Sequence, residues 1–263
     1  MQHAVPLPDP NVQSVTRALS LLAEMNRQRV TTIRQLHAAT GLPKSTIVRL
    51  LGTLAAAGYV ANDKRQGGYQ VTSHVQSLSC GYHGDPLVVE AGRPWAVEYT
   101  RRHRWPIAIA VLDHDSVRVR CSTIPDSPIS PFHGTVNMRL RLLTRALGRA
   151  YLAFCPPTER DMILAILKSS SHPEDAGARN RASALRILEA TQRLGYAQRA
   201  PGVEPRSSST IAVPIRRGDS VLASVGMTYF KSAVSVQDIA GSYVPLMHDL
   251  ARNIETSMLA LQP

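Results

Sequence analysis

The chain has 263 residues, of which 44% are hydrophobic and 19% are charged. This composition can supply a folded core and excludes a largely disordered or low-complexity protein. No apolar run approaches the ~18 residues that span a membrane. The proline-rich N-terminal arm, MQHAVPLPDPN, lacks the apolar stretch of a signal peptide. We therefore expect a cytoplasmic protein without a membrane partner.

The net charge of +11 favours a polyanionic partner. Residues 1–75 contain eight Lys or Arg against three acids, whereas the other 188 residues contain 22 against 16. Positive charge is therefore densest in the N-terminal part, which supports nucleic-acid binding there.

The three cysteines, Cys80, Cys121 and Cys155, form no CxxC pair. Their spacing argues against a zinc ribbon or a disulfide framework and predicts buried thiols.

A first helix is predicted directly after the arm. Asn11 is its expected N-cap, and its apolar side chains, Val12, Val15, Leu19 and Leu22, recur at helical spacing. We expect this stripe to cover the core of the two helices that follow.

Residues 31–60 predict two short helices joined by a tight turn. The first helix has an apolar face of Ile33 and Leu36 and ends at Gly41, which accepts the left-handed backbone conformation. Pro43 suits the first turn of the second helix. The buried stripe of the second helix comprises Ile47, Leu50, Leu51 and Leu54.

The opposite face of the second helix carries cations and short hydrogen-bonding groups but no acid. It comprises Lys44, Ser45, Thr46, Val48, Arg49 and Thr53. A recognition helix in the DNA major groove needs this chemistry. An ordinary helical hairpin with a solvated basic face is the alternative, since the same geometry recurs in many folds.

A wing follows the two helices. A polar, basic turn spans residues 61–68 and contains Lys64 and Arg65, and residues 69–71 alternate like a strand. Helix, strand, turn and strand make a winged helix-turn-helix. Its wing would bring Lys64 and Arg65 near DNA phosphates.

Three motifs resemble the DNA-binding domain of IclR-type bacterial transcriptional regulators. They are VQSVxRAL at residues 12–19, GLPKSTxxRLL at residues 41–51 and LxxxGYV at residues 54–60. The resemblance implies that residues 11–73 bind double-stranded operator DNA and that residues 74–263 bind a small-molecule effector. It also implies a homodimer or homotetramer, with RNA polymerase as a partner if the regulator is an activator.

A linker helix is predicted at the start of the second domain. After a short helical segment near residues 73–84, Asp85 as cap and Pro86 begin a helix that reaches Arg104. Pro94 should bend or divide this helix. In the IclR family the matching helix links the domains and dimers form around it, while core packing explains its apolar residues equally well.

The rest of the chain mixes strands with helices. Strands are predicted at residues 107–112, 117–121, 139–143, 209–215 and 220–230, and helices at residues 144–154, 158–167, 179–194 and 235–261, the last kinked at Pro245. This order predicts an α+β fold with a mainly antiparallel sheet. It is similar to the GAF-like effector domain of the family.

Two features refine the resemblance. The family motif PLHxTAxGKAxLA corresponds to residues 141–153, where Leu143 and Arg145 replace the family's His and Thr. A closer resemblance is to the branch that activates hydroxyphenylpropionate catabolism. It rests on Trp105-Pro106, Phe132-His133, residues 152–156 and Tyr229-x-x-Ser232-Ala233. This branch implies an aromatic acid as the effector.

A ligand pocket is predicted where several candidate residues converge on one side of the sheet. The start of the helix at Thr144 offers free N–H groups for a carboxylate, and Arg145 adds a positive charge. The correspondence with the family contributes Gly226 and Thr228. The remaining candidates are Ser209, Thr210 and His133 as polar groups and Ile109, Phe132 and Leu142 as apolar walls. Packing in the core is the alternative for each.

No motif for catalysis is present. The sequence contains no nucleophile elbow, Walker loop, dinucleotide fingerprint or HExxH helix, so we predict no cofactor. Asp113-His114-Asp115 suits a solvated hairpin turn better than a metal site. We predict a ligand-responsive regulator of a catabolic operon. The alternatives are an enzyme that uses Cys155 or His133, and an architectural DNA-binding protein without an effector.

Overall fold

The computed structural model of the protein describes residues 12–81, 86–130 and 134–261. The chain divides into two compact units, residues 1–83 and residues 84–263. The segment after residue 73, which the sequence assigns to the second domain, thus makes its contacts within the first unit. Within the described ranges, no helix combines the length and the apolar character that crossing a membrane requires.

The first unit is a winged helix-turn-helix, as the sequence predicts. Its elements are helices α1 (Gln13–Met25), α2 (Ile33–Thr40) and α3 (Lys44–Ala56), strands β1 (Val60–Asp63) and β2 (Gly68–Val71), and a 3-10 helix (Ser73–Ser79). The two strands pair antiparallel. The helices and the wing enclose one small core, in which Leu21, Leu36 and Ile47 are fully buried.

Capping groups fix the connection between α2 and α3. At the start of α2 the Thr32 hydroxyl accepts a hydrogen bond from the Gln35 N–H at 3.3 Å, and the Gln35 side chain accepts one from the Thr32 N–H at 2.8 Å. This capping box satisfies N–H groups that the first turn of a helix leaves free. At the end of α2, Gly41 adopts φ +68° as predicted. Pro43 stands directly before α3.

The prediction for the buried face of α1 is right for Leu22, which is 8% exposed, and wrong for the other three residues. Val12, Val15 and Leu19 are 65%, 56% and 58% exposed, whereas Leu21 and Met25 are fully buried. α1 carries two apolar stripes at helical spacing, and periodicity alone does not say which one meets the core. The predicted N-cap, Asn11, lies outside the described residues.

The wing turn is shorter than predicted. Because β1 extends to Asp63, the turn comprises residues 64–67. The Asp63 carboxylate accepts backbone hydrogen bonds from Arg65 at 2.9 Å and Gln66 at 3.1 Å, and Gly67 adopts φ +68°.

Farther along the chain, Cys80 is exposed, so the prediction of a buried thiol is wrong for this cysteine. The other two cysteines are buried, as predicted.

The second unit is built on one antiparallel sheet. Its strands are β3 (Ile107–Asp113), β4 (Ser116–Ser122), β5 (Arg139–Arg141), β6 (Ala197–Gln198), β7 (Ser208–Arg217) and β8 (Ser220–Phe230), in the spatial order β5-β4-β3-β8-β7-β6. The sequence predicts all of these strands except the two-residue β6. It predicts β5 two residues too long, because Leu142 and Leu143 lie in a turn.

Helices cover both faces of this sheet. Helices α4 (Leu87–His103) and α9 (Val244–Ala260) pack on one face, and α5 (Ala146–Phe154) packs on the other, where it is covered by α6 (Pro157–Lys168) and α7 (Arg181–Leu194). Each face therefore has its own core. The result is the predicted α+β fold with an antiparallel sheet.

The predicted linker helix, α4, is part of the core of the second unit. It continues without a break through Pro94. Its Trp95 ring N–H donates to the Ser257 hydroxyl on α9 at 2.8 Å. Its Tyr99 hydroxyl donates to the sulfur of Met227 on β8 at 3.4 Å. The predicted cap of this helix, Asp85, lies outside the described residues.

The last predicted helix is interrupted. A short helix α8 (Val236–Asp238), capped by Ser235, passes into a π-helical segment (Ile239–Tyr243) before α9 begins. Pro245 stands in the first turn of α9, where its missing N–H leaves no hydrogen bond unmade. The irregular turn therefore precedes the proline and replaces the predicted kink.

Gly148 lets the first turn of α5 approach the chain after β5. A Cβ at this position would meet the backbone carbonyl of Arg141 and lie 2.7 Å from the Cα of Leu142. Both obstacles are backbone atoms, which cannot rotate away as a flexible side chain can. The close approach fixes where α5 starts relative to the sheet.

We expect Gly148→Ala to lower the free energy of unfolding of the second unit by about 1–3 kcal/mol, the usual cost of overpacking. Gly241→Ala is the control, because a Cβ there meets nothing within 4 Å. Both tryptophans, Trp95 and Trp105, lie in the second unit, so their fluorescence in urea follows its unfolding. Equal midpoints for the two variants would contradict the close approach.

Candidate functional site

The exposed face of α3 carries the six residues that the sequence assigns to DNA binding. Five of them are exposed, including Val48 at 50%, and Thr46 is half-buried. The Thr53 hydroxyl donates to the Arg49 carbonyl at 3.1 Å, so it is anchored to its own helix. Ile47 and Leu51 point into the core from the same helix. The surface presented to solvent is thus basic and polar without an acid.

The wing adds two cations to the same unit. Lys64 and Arg65 are exposed in the turn between β1 and β2. The neighbouring carboxylate, Asp63, is engaged by backbone N–H groups of the turn. The cationic side chains therefore remain directed at solvent, which is the arrangement needed for phosphate contacts.

A cavity of about 80 Å³ lies in the second unit between the sheet and the start of α5. Three of the predicted effector residues line it: Arg145, Thr210 and Thr228. The two threonines face each other across β7 and β8, with their hydroxyl oxygens 3.0 Å apart. The other lining residues are mostly apolar: Pro106, Ile107, Ala108, Val119, Ser122, Ile124, Thr135, Met138, Leu140, Ala146, Leu147 and Arg199.

The structure does not bring the other described candidates into this cavity. Ile109 packs against Gly92 of α4 on the opposite face of the sheet. Ser209 pairs in register with the buried Tyr229 and shares that opposite face. The prediction that these two residues share one side of the sheet with Thr210 and Thr228 is therefore wrong. Phe132 and His133 lie outside the described residues.

Three further candidates lie close to the cavity without lining it. Leu142 is fully buried in the core beneath α5. Gly226 faces α5 and is covered by Leu147, which itself lines the cavity. Thr144 precedes the helix, which begins at Ala146, and its hydroxyl donates to Glu174. The free N–H groups are thus those of the first turn of α5, where Ala146 and Leu147 line the cavity.

Arg145 is fully engaged by its neighbours. Its Nε and Nη2 donate to the two carboxylate oxygens of Glu174 at 3.0 and 2.7 Å. Its Nη1 donates to the carbonyl of Glu204 at 3.1 Å. Such a bidentate pair consists of charge-assisted hydrogen bonds, which are stronger than those between neutral groups. Arg145 therefore lines the cavity with its charge already matched.

Arg199 is the cavity residue that the sequence did not predict. It is only 9% exposed, and its Nη2 donates to the carbonyls of Pro205, at 2.8 Å, and Ser208. Burial, reinforced by the positive charge of Arg145, lowers the pKa of the Arg199 guanidinium. Among the described residues, no carboxylate forms an ion pair with it; the carboxylate of nearby Glu204 pairs with Arg206 at 2.9 Å. A buried cation without a counter-ion is costly, so this position favours an anionic ligand.

Cys155 and the Asp113-His114-Asp115 segment have no catalytic geometry. Burial, with the negative charge of Glu159, raises the pKa of the Cys155 thiol to about 12, so it is not a nucleophile at neutral pH. Asp113-His114-Asp115 forms the turn between β3 and β4, and both carboxylates pair with arginines. In the described part of the chain, no cluster of side chains suits a metal ion.

A family model described as the IclR helix-turn-helix domain matches residues 14–64. The HTH-type transcriptional regulator KdgR of Escherichia coli is 24% identical over 251 residues, which cover 94% of this chain and 93% of KdgR. Residues 14–64 therefore form an IclR-type helix-turn-helix domain, and the chain is similar over most of its length to transcriptional regulators. Other relatives of this IclR-type chain are also named as regulators, which argues against the enzyme alternative.

Crystal structures share the fold of this IclR-type protein. The IclR of Thermotoga maritima matches with a TM-score of 0.60 at 16% identity, covering 94% of this chain and 99% of the other. An IclR homolog from Microbacterium hydrocarbonoxydans, in complex with 4-hydroxybenzoate, matches with a TM-score of 0.55 at 21% identity and the same coverage.

Arg49→Ala should weaken binding to a specific operator by ~1–3 kcal/mol, the worth of a two-pronged contact with guanine. Binding to a scrambled duplex should hardly change. Fluorescence anisotropy with duplexes selected from a random library measures both. Arg186→Ala, an exposed cation on α7, is the control. An unchanged affinity for the selected duplex would remove Arg49 from the recognition surface.

Lys64→Ala and Arg65→Ala should behave differently from Arg49→Ala. Phosphate contacts carry no sequence information, so each wing variant should weaken the selected and scrambled duplexes alike. Each should also flatten the dependence of affinity on salt, because fewer counterions are released. A loss confined to the selected duplex would instead place the wing on base edges.

Proposed function

We propose that this IclR-type protein regulates a catabolic operon in response to a small aromatic acid that binds the cavity of the second unit. The observation that carries the proposal is Arg199, a buried cation that faces the cavity and forms no ion pair among the described residues. An effector carboxylate would supply the missing counter-ion.

The first turn of α5 supports the same ligand class. Ala146 and Leu147 line the cavity, and the N–H groups of this turn lie at the positive end of the helix dipole. A carboxylate between this turn and Arg199 would be bound from two sides. This arrangement revises the role predicted for Arg145, whose guanidinium is already paired with Glu174.

The remaining walls suit the rest of an aromatic acid. Ala108, Val119 and Leu140 offer apolar surface to a ring, and the hydroxyls of Thr210 and Thr228 can bind a ring hydroxyl. The Microbacterium homolog in complex with 4-hydroxybenzoate supports an acid of this size. The resemblance to the hydroxyphenylpropionate branch points the same way.

The N-terminal unit would bind operator DNA through the exposed face of α3 and the wing. We propose a dimer, or a tetramer of two dimers, that reads half-sites ~34 Å or a multiple of that apart. Operator binding places its action in the bacterial cytoplasm, with RNA polymerase as a further partner if it activates. The effector must favour one dimer arrangement over another, and α4, the first helix of the second unit, is the proposed route for that signal.

Calorimetric titration of the full chain with 4-hydroxybenzoate, benzoate and 4-hydroxybenzamide tests the ligand class. We expect the acid to bind, and Arg199→Gln to weaken it by about 1.5–3 kcal/mol, the worth of a hydrogen bond to a charged group. Removing the ring hydroxyl should cost about 0.5–1.5 kcal/mol. Arg217→Gln, an exposed cation at the end of β7, is the control.

The outcomes separate the parts of this proposal. If the amide bound as tightly as the acid, or if Arg199→Gln bound the acid like the wild type, the carboxylate site would be wrong. If glyoxylate or another aliphatic acid bound and no aromatic acid did, the aromatic class would fail while acid recognition stood. Thermal unfolding of each variant checks that the fold is intact.

A further inference from the structure

We propose that Glu174 determines the specificity of the effector cavity: by occupying Arg145 it leaves Arg199 as the single available cation among the described lining residues, so the cavity selects monocarboxylates over dicarboxylates. This inference rests on the proposed function, because it assumes that an organic acid binds beside Arg199. It adds to that site the number of ligand carboxylates that the cavity accepts. It assigns this selectivity to Glu174, which lies outside the cavity wall.

The hydrogen bonds of the two arginines show the difference between them. All three nitrogens of the Arg145 guanidinium donate to protein oxygens, two of them to Glu174. Arg199 uses only Nη2, which points to the turn at residues 205–208. Within the described chain, the Nε and Nη1 groups of Arg199 have no hydrogen-bond acceptor in the protein. Only Arg199 can therefore pair with a ligand without breaking an existing ion pair.

Glu174 is held firmly on Arg145. The Thr144 hydroxyl donates to the same carboxylate oxygen that receives the Arg145 Nε–H. The Glu174 N–H donates to the ring of His172 at 3.2 Å. Burial raises the pKa of Glu174, but the hydrogen bonds from Arg145 and Thr144 outweigh it and lower the pKa, so the carboxylate is ionised at neutral pH.

The next residue anchors this segment to the rest of the unit. Asp175, which is fully buried, accepts hydrogen bonds from Ser170 at 2.6 Å and from Arg141 at 3.1 Å. Glu174 and Asp175 both belong to a 3-10 helix (Pro173–Arg179) between α6 and α7. The backbone that carries Glu174 is therefore held in place beside Arg145.

A second carboxylate on the ligand would lower the affinity for this cavity. To pair with Arg145 it must displace Glu174, and the displaced carboxylate, only 25% exposed, would lose its partner. Breaking one half of a largely buried pair is costly because it leaves an uncompensated charge. A monocarboxylate on Arg199 meets no such obstacle.

The test compares Glu174→Gln with the wild type of the full chain by calorimetry. The probes are benzoate and 4-hydroxybenzoate against the three benzenedicarboxylates, and pyruvate against malonate. We expect the wild type to prefer the monocarboxylates. In Glu174→Gln, freed Arg145 should shift the affinity ratio toward at least one dicarboxylate by about tenfold or more, the effect of one charge-assisted hydrogen bond. Glu189→Gln, an exposed site on α7, removes the same charge and should leave the ratio unchanged.

A double variant keeps the inference testable if Glu174→Gln alters the local structure. Arg145→Gln with Glu174→Gln again leaves one cation in the cavity, so the preference for monocarboxylates should return. A wild type that binds dicarboxylates as tightly as monocarboxylates would overturn the inference, as would an unchanged ratio in Glu174→Gln. In those cases acid binding that depends on Arg199 would still stand. Absence of binding by every acid in the panel would overturn the proposed function and this inference together.

Discussion

The cost of burying an ionised guanidinium is the constraint on which the cavity of the second unit depends. Two arginines line one small, mostly apolar space, and like charges at such proximity destabilise each other. Glu174 matches the charge of Arg145, and the carbonyls of Pro205 and Ser208 hold one nitrogen of Arg199. The protein's own groups thus compensate part of the positive charge of the two arginines. The proposed effector carboxylate would compensate the remainder.

The first unit could be predicted almost completely because its signals are local. The glycine that ends α2 and the apolar stripe of α3 act within a few residues and appear in the structure as expected. The proline predicted in the first turn of α3 stands one residue before it. The prediction failed for α1, where two apolar stripes compete and only tertiary packing selects Leu21 and Met25. The family resemblance did not resolve this choice, because it concerns residue identity and not orientation.

The cavity was less predictable because it depends on contacts between distant segments. Ser209 and Thr210 are neighbours on β7, and neighbours on a strand point to opposite faces, so only one could reach a ligand on the α5 side. β3 is apolar on both faces, so its sequence does not show which way Ile109 points. Arg199 follows a two-residue strand and carries no motif. Its role emerges only when β6, β7 and α5 come together.

The alternation of β8 links its two faces mechanically. Thr228 opens onto the cavity, while the preceding residue, Met227, points to the other face and accepts a hydrogen bond from Tyr99 of α4. A ligand that displaced Thr228 would therefore act, through one peptide unit, on the contact between Met227 and Tyr99 of α4. The sheet therefore separates the two helical layers, each with its own core, and β8 contacts both of them.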